Sequence, residues 1–147
     1  MEFLYIGIIL LIDQVSKILV KMKLKPVDNI DLVNNFFSLT YVENTGAAFG
    51  KFSGYRFILI GITSCVVVFM LVYLVKNKNI NQFLRVGMIL VIAGAIGNLI
   101  DRIYMGYVVD FIHFYTKSRD LPVFNVADIS VVIGTFILAT SLIFSKE

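Results

Sequence analysis

Charge is what this chain has least of. Only 16% of its 147 residues are charged and 59% are hydrophobic, against roughly 25% charged and 45–50% apolar in soluble domains. The single cysteine, Cys65, has no possible disulfide partner within the chain, so a disulfide framework is excluded and the thiol is expected to pack as a small hydrophobe. With one histidine, His113, no His/Cys metal cluster can be built. No Gly-x-Ser-x-Gly elbow, His-Glu-x-x-His pair, glycine-rich phosphate loop or dinucleotide fingerprint occurs, so neither metal nor cofactor is expected. The net charge of +3 is spread over loops, which suits anionic lipid headgroups better than nucleic acid.

What fills the chain instead is apolar. Four stretches, about 3–20, 57–75, 86–101 and 129–145, are dominated by Ile, Leu, Val, Phe and Met. The second, "FILIGITSCVVVFMLVYLV", holds 19 residues without a charge, enough for roughly 28 Å of helix, about the hydrocarbon thickness of a bilayer. The expected fold is a single membrane domain, all-α with a small β element. Met1 and Glu2 open the chain in place of a basic region, and no small-x-small cleavage site follows, so the first stretch is expected to be a retained helix.

Two long connections lie on one side of the membrane. The first, with "NNFFSLTYVENTGAAFGKFSG", is rich in Phe, Thr, Tyr and Val between Asn and Gly, and predicts two or three short strands, a surface sheet within about 25–55. The second, about 103–127, holds "VVDFIHF", too short to span and expected to lie at the interface. That side carries Lys17, Lys21, Lys23, Lys25, Lys51, Arg56, Arg102, Lys117 and Arg119, and the other only Lys76, Lys78, Arg85 and Lys146. The positive-inside rule therefore places the long connections in the cytoplasm.

The polar interruptions of the spans are the informative residues, because a charge at the bilayer centre costs roughly 2.5–3.5 kcal/mol and marks function by default. Asp13, Ser16 and Lys17 fall on one helix face, as do Asn98, Asp101 and Arg102; Asn125 and Asp128 sit at the entrance to the last span. Asp110 lies between them in "YVVDFIHF", with no cap position and no cation one helical turn away. Bland readings exist for the rest: Asp13 and Lys17 as an i,i+4 ion pair, Asp101 and Arg102 as snorkelling charges, Asp128 as a helix-start residue favoured by the dipole. His113 reads as an ordinary polar tip.

If Asp110 and Asp128 meet, they share one proton, since two carboxylates in a low-dielectric site do not both ionise cheaply. One then activates water while the other polarises a carbonyl, which is peptide hydrolysis without a covalent intermediate. Buried acids in a four-span chain also fit a proton-coupled carrier or channel subunit, although no internal repeat is present. A scaffold that binds acylated peptides is a third reading.

Five blocks carry a resemblance: "DQVSK" at 13–17, "NTGAAFG" at 44–50, "GNLIDR" at 97–102, "VVDFI" at 108–112 and "FNVAD" at 124–128. In this order and within a chain of this length they resemble the bacterial lipoprotein signal peptidases, signal peptidase II, intramembrane aspartyl proteases. One departure is Ala93, where many relatives have a second glycine. The resemblance implies a catalytic dyad of Asp110 and Asp128, supported by Asp13, Lys17, Asn44 and Gly46 of the "NxG" block, Asn98, Asp101, Arg102 and Asn125. It implies diacylglyceryl-modified prolipoprotein signal peptides as substrates and membrane lipids as surroundings, with the protein monomeric in the bacterial plasma membrane. It also implies an interfacial, extracytoplasmic helix and loop over about 103–127, and cytoplasmic termini with an extracytoplasmic site, against the charge count.

Overall fold

The computed structural model describes residues 1–46 and 54–144. Four helices, α1 (Glu2–Lys23), α2 (Arg56–Lys76), α3 (Gln82–Tyr104) and α4 (Val126–Phe144), are each long and apolar enough to cross a membrane. Their greasiest surfaces point outward: Phe57, Phe69 and Phe136 are each at least 70% exposed, as suits helices solvated by lipid tails. Cys65 lies on such a surface. This corrects its expected place in the core; on a helix apolar all round, sequence alone does not say which face turns inward.

Helix α3 is the axis of the bundle. Ile92 and Ala93 are almost wholly buried and pack with Ile6 of α1, Val67 and Leu74 of α2, and Met88 and Ile89 of α3 itself. Beside them α4 presses against α3 so closely that a Cβ on Gly94 would stand 2.3 Å from the Ala127 carbonyl oxygen. Only glycine fits there, and the consequence is that the first turn of α4 sits directly against α3. Arg56, at the start of α2, donates from Nε to the Arg102 carbonyl at 2.7 Å and from Nη2 to the Ile103 carbonyl at 2.9 Å. It thereby satisfies two carbonyls at the end of α3 that the helix itself leaves open.

The two long connections fold into one antiparallel sheet of four strands in the order β1 (Asn29–Val33), β2 (Phe37–Asn44), β3 (Val108–Thr116), β4 (Arg119–Phe124). The first connection contributes two of them, within the expected range. The second is not the interfacial helix and loop expected for 103–127: α3 runs to Tyr104, and a β3–β4 hairpin follows. The physical reason is burial. Val108, Val109, Asp110 and Phe111 are all buried, so the strand shows no alternation of apolar and polar residues, and its β-branched and aromatic content was the remaining signal. Strand pairing joins the connections, with Val42 opposite Asp110 and Asn44 opposite Val108. The remainder of the "NTGAAFG" block beyond Gly46, together with Lys51 and Lys146, lies outside the described residues.

Candidate active site

Asp110 projects from β3 with 2% of its surface exposed. Asp128 reaches the same place from α4, whose start is fixed by a reciprocal cap. The Asn125 side-chain oxygen accepts from the Asp128 N–H at 2.8 Å, and the Asp128 Oδ2 accepts from the Asn125 N–H at 3.1 Å. This is a capping box with Asp in the third helical position. The bland reading of Asp128 as a cap is therefore true of one of its oxygens, while Oδ1 accepts instead from Asn98 Nδ2 at 2.7 Å.

Three asparagine amides surround the two carboxyls, and each has its oxygen pinned by a group that can only donate. Asn44 Oδ1 accepts the Gly46 N–H at 3.0 Å, leaving Nδ2 to donate to Asp110 Oδ2 at 2.9 Å. Asn125 Oδ1 takes the Asp128 N–H, so its Nδ2 faces Asp110 Oδ1 at 2.6 Å. Asn98 Oδ1 receives the Lys17 ammonium at 3.1 Å, so its Nδ2 faces Asp128. A carboxylate oxygen can only accept, and the network admits no other orientation of these amides.

The two aspartates open into one cleft of about 360 Å³. Its polar wall is Asn44, Asn98, Arg102 and the aspartates; Ala95, Phe124, Val131 and Val132 make an apolar wall. Arg102 does not pair with its neighbour Asp101. It donates from Nη2 to the Gly46 carbonyl at 2.8 Å, and its buried Nε has no partner among the described residues. Burial, and after it the Asp128 charge, pushes the Asp110 carboxyl up to about 7, outweighing the opposing hydrogen bonds from Asn44 and Asn125.

Behind the cleft lies a second buried cluster. Lys17 Nζ sits 2.8 Å from both Asp13 Oδ2 and Asp101 Oδ2, and all three residues are at most 3% exposed. Asp13 Oδ1 accepts the Ala127 N–H at 2.9 Å, so α1 also anchors the first turn of α4. Gln14 was invisible to sequence reasoning, being an uncharged residue on a helix. Its Nε2 donates to Asp13 and Asp101, both at 3.1 Å, and to the Gly97 carbonyl at 3.3 Å. Ser16 shares the helical spacing yet stays out, turning its hydroxyl back to the Asp13 carbonyl at 2.7 Å.

The ten residues of the expected dyad and its support thus fall in two adjoining clusters. Asp110, Asp128, Asn44, Asn98, Arg102 and Asn125 meet at the cleft, with Gly46 at its rim, while Asp13, Lys17 and Asp101 lie behind it. His113 is elsewhere: its Nδ1 lies 3.3 Å from Ser38 Oγ and 3.4 Å from Thr40 Oγ1. No group of three or more His, Cys, Asp and Glu among the described residues could hold a metal.

Comparison with known proteins agrees on one family. Residues 5–144 match the family model described as signal peptidase (SPase) II. The chain is 43% identical to the lipoprotein signal peptidase of Clostridium acetobutylicum, covering 100% of this chain and 96% of that one. With the lipoprotein signal peptidase of Clostridioides difficile the identity is 46%, over 98% and 97% of the two chains. A solved bacterial membrane enzyme superposes with a TM-score of 0.88 at 32% identity, covering 99% of this chain and 93% of that one.

Proposed function

The chain belongs to the signal peptidase II family, and from that premise we propose that it removes the signal peptide of diacylglyceryl-modified prolipoproteins by an aspartate pair acting on water. Family membership itself makes it a multi-pass membrane peptidase of lipoprotein processing, and it selects the peptidase reading over the carrier alternative. The aspartic mechanism, the cut before the lipidated cysteine and the roles of individual residues are the proposal. One observation carries it. Asn125 holds both carboxyls at once, donating from Nδ2 to Asp110 Oδ1 at 2.6 Å and from its backbone N–H to Asp128 Oδ2 at 3.1 Å.

Asp110 holds the shared proton, its carboxyl pushed up to about 7 by burial and the facing charge. Asp128 carries the charge, supported by the N-terminus of α4 and by donors from Asn98 and the Asn125 backbone. A water between them loses a proton to Asp128 as its oxygen bonds to the scissile carbonyl carbon, and Asp110 gives its proton to the carbonyl oxygen. Asp128 then passes its proton to the departing cysteine amine, and the diol proton returns to Asp110 as the C–N bond breaks. The unpartnered Arg102 Nε offers a donor to the substrate backbone. The acyl chains stay in the bilayer and along apolar helix faces, at about 0.8 kcal/mol per buried CH₂.

The active site faces the extracytoplasmic side of the plasma membrane in this reading, with both termini cytoplasmic and the protein acting as a monomer. The contrary charge count loses weight because many of its members are engaged internally. Lys17 is buried with two aspartates, Arg56 caps α3, Arg102 holds the Gly46 carbonyl, and Lys25 pairs with Glu43 at 2.7 Å.

The test is cleavage of a diacylglyceryl-modified lipobox peptide by purified Asp110→Asn and Asp128→Asn. Each is expected to lose roughly 10²–10⁴-fold in rate while keeping the wild-type melting profile in detergent. Near-full activity in either folded variant would sink the dyad.

A further inference from the structure

We propose that Lys17 is a positioning residue for the aspartate pair. By donating to Asn98 Oδ1 it obliges Asn98 to present its NH₂ group to Asp128. This inference rests on the dyad reading and deepens it, giving the lysine a task beyond neutralising Asp13 and Asp101.

An asparagine side chain has nearly the same shape with O and N exchanged, so something must decide which end meets a carboxylate. At Asn44 and Asn125 a backbone N–H decides. Among the described residues Asn98 has no such backbone donor at its oxygen; besides the Asn125 NH₂ at 3.2 Å, the pinning group is the Lys17 ammonium at 3.1 Å. The Asn125 contact fixes the orientation less firmly than a charge does, because Asn125 gives one N–H to Asp110 at 2.6 Å and shares the other between Asn98 and the Val109 carbonyl at 3.3 Å. An ammonium has no acceptor, and a charge-assisted bond is the stronger kind. If Asn98 turned over, an NH₂ would face Lys17 and an oxygen would face Asp128, repelling at both ends.

The arrangement also sets the distance at which the lysine acts. Its ion pairs at 2.8 Å go to Asp13 and Asp101, not to Asp110 or Asp128. The dyad thus meets neutral donors from Asn44, Asn98 and Asn125; the charge of Lys17 acts on it at a distance, and the lysine's hydrogen bond reaches it through the Asn98 amide. The charged groups acting on Asp128 are Lys17 and Asp13 from α1, Arg102 from α3 and Asp110 from β3. Of these, Lys17 is the one that touches a side chain bonded to Asp128 Oδ1.

Lys17→Met is the obvious variant, but it strands two aspartates and can fail to fold. The informative variant is the triple Asp13→Asn/Lys17→Met/Asp101→Asn, which removes the donor to Asn98 and the two charges together. The measurement is kcat and KM for diacylglyceryl-modified lipobox peptide across pH, on protein shown to be folded by its melting profile. The triple variant should lose roughly tenfold in kcat with little change in KM. The acid limb of its rate profile should shift by about one pH unit as Asp128 loses a donor. Asn98→Leu should move the same limb, and adding the triple to Asn98→Leu should move it no further. Lys17→Arg, which keeps a donor, should leave the limb where it is in the unmutated protein. A folded triple variant with an unmoved limb overturns the assignment, as does a displacement that adds to that of Asn98→Leu. Asp128→Asn separates the two levels. If it remains active the dyad reading falls; if it is inactive while the limb of the triple stays put, only the role of Lys17 falls.

Discussion

Two pairs of aspartates are buried side by side in this molecule, and opposite means keep them there. Asp13 and Asp101 hold a lysine ammonium between them at 2.8 Å on either side. Asp110 and Asp128 have no cation within ion-pair distance among the described residues and are met by amides and a helix N-terminus. The residue type is the same and the chemistry differs. An ion pair compensates charge permanently, which suits an anchor tying α1 to α3 and α4. Neutral donors leave a carboxyl free to exchange its proton, which suits the proton transfers proposed for this site.

The comparison breaks most visibly if the lysine is removed. Lys17→Met leaves two buried carboxylates facing each other without a cation, and losing one partner of such a cluster costs about 3–5 kcal/mol. Unfolding of the purified protein in detergent should register that loss. Adding Asp13→Asn and Asp101→Asn to the same chain should restore most of it, because a neutral cluster of the same shape carries no stranded charge. If Lys17→Met melts like the unmutated protein, the cluster is no anchor and the contrast between the two pairs fails.

A smaller effect sharpens the contrast on the dyad side. With the Asp110 carboxyl pushed up to about 7, the cleavage rate should fall as pH rises through that value, since the group proposed to protonate the carbonyl oxygen is then ionised. The decline should approach tenfold per pH unit at the alkaline end. A rate that stays level from pH 7 to pH 9 would show that Asp110 does not supply the proton.

Much of this division was legible in the sequence, and what was hidden was hidden for physical reasons. Asp110 and Asp128 stand out because a carboxylate in an apolar run is costly, and Lys17 follows Asp13 by one helical turn. The partner of Asp101 was not legible. Arg102 is its neighbour in sequence, but consecutive residues on a helix point about 100° apart, so Asp101 turns to Lys17 and Arg102 to the cleft. Nor was Gln14, whose uncharged side chain carries no hydropathic penalty large enough to notice. The hairpin of β3 and β4 escaped because burial on both faces erased the alternation that identifies strands. The tight contact at Gly94 depends on where α4 begins, which only the cap at Asn125 and Asp128 reveals.

The smallest effect concerns stability instead of rate, and its sign follows from the same carboxyl. Asp110 titrates near 7 in the folded protein against an ordinary value of 3.8, so the folded state binds the proton more tightly than the unfolded chain. Its contribution to stability is complete below the ordinary carboxylate range and is lost as pH rises through about 7. The melting temperature in detergent should therefore fall by a few degrees between about pH 5 and pH 8, the scale expected for one to two kcal/mol in a chain of this size. Asp110→Asn removes the titrating group and should flatten that decline. In the unmutated protein the slope should also disappear below about pH 4, where folded and unfolded chains carry the same proton. A decline that survives Asp110→Asn unchanged would assign the pH dependence to other groups, and Asp110 would then differ from its neighbours in position alone.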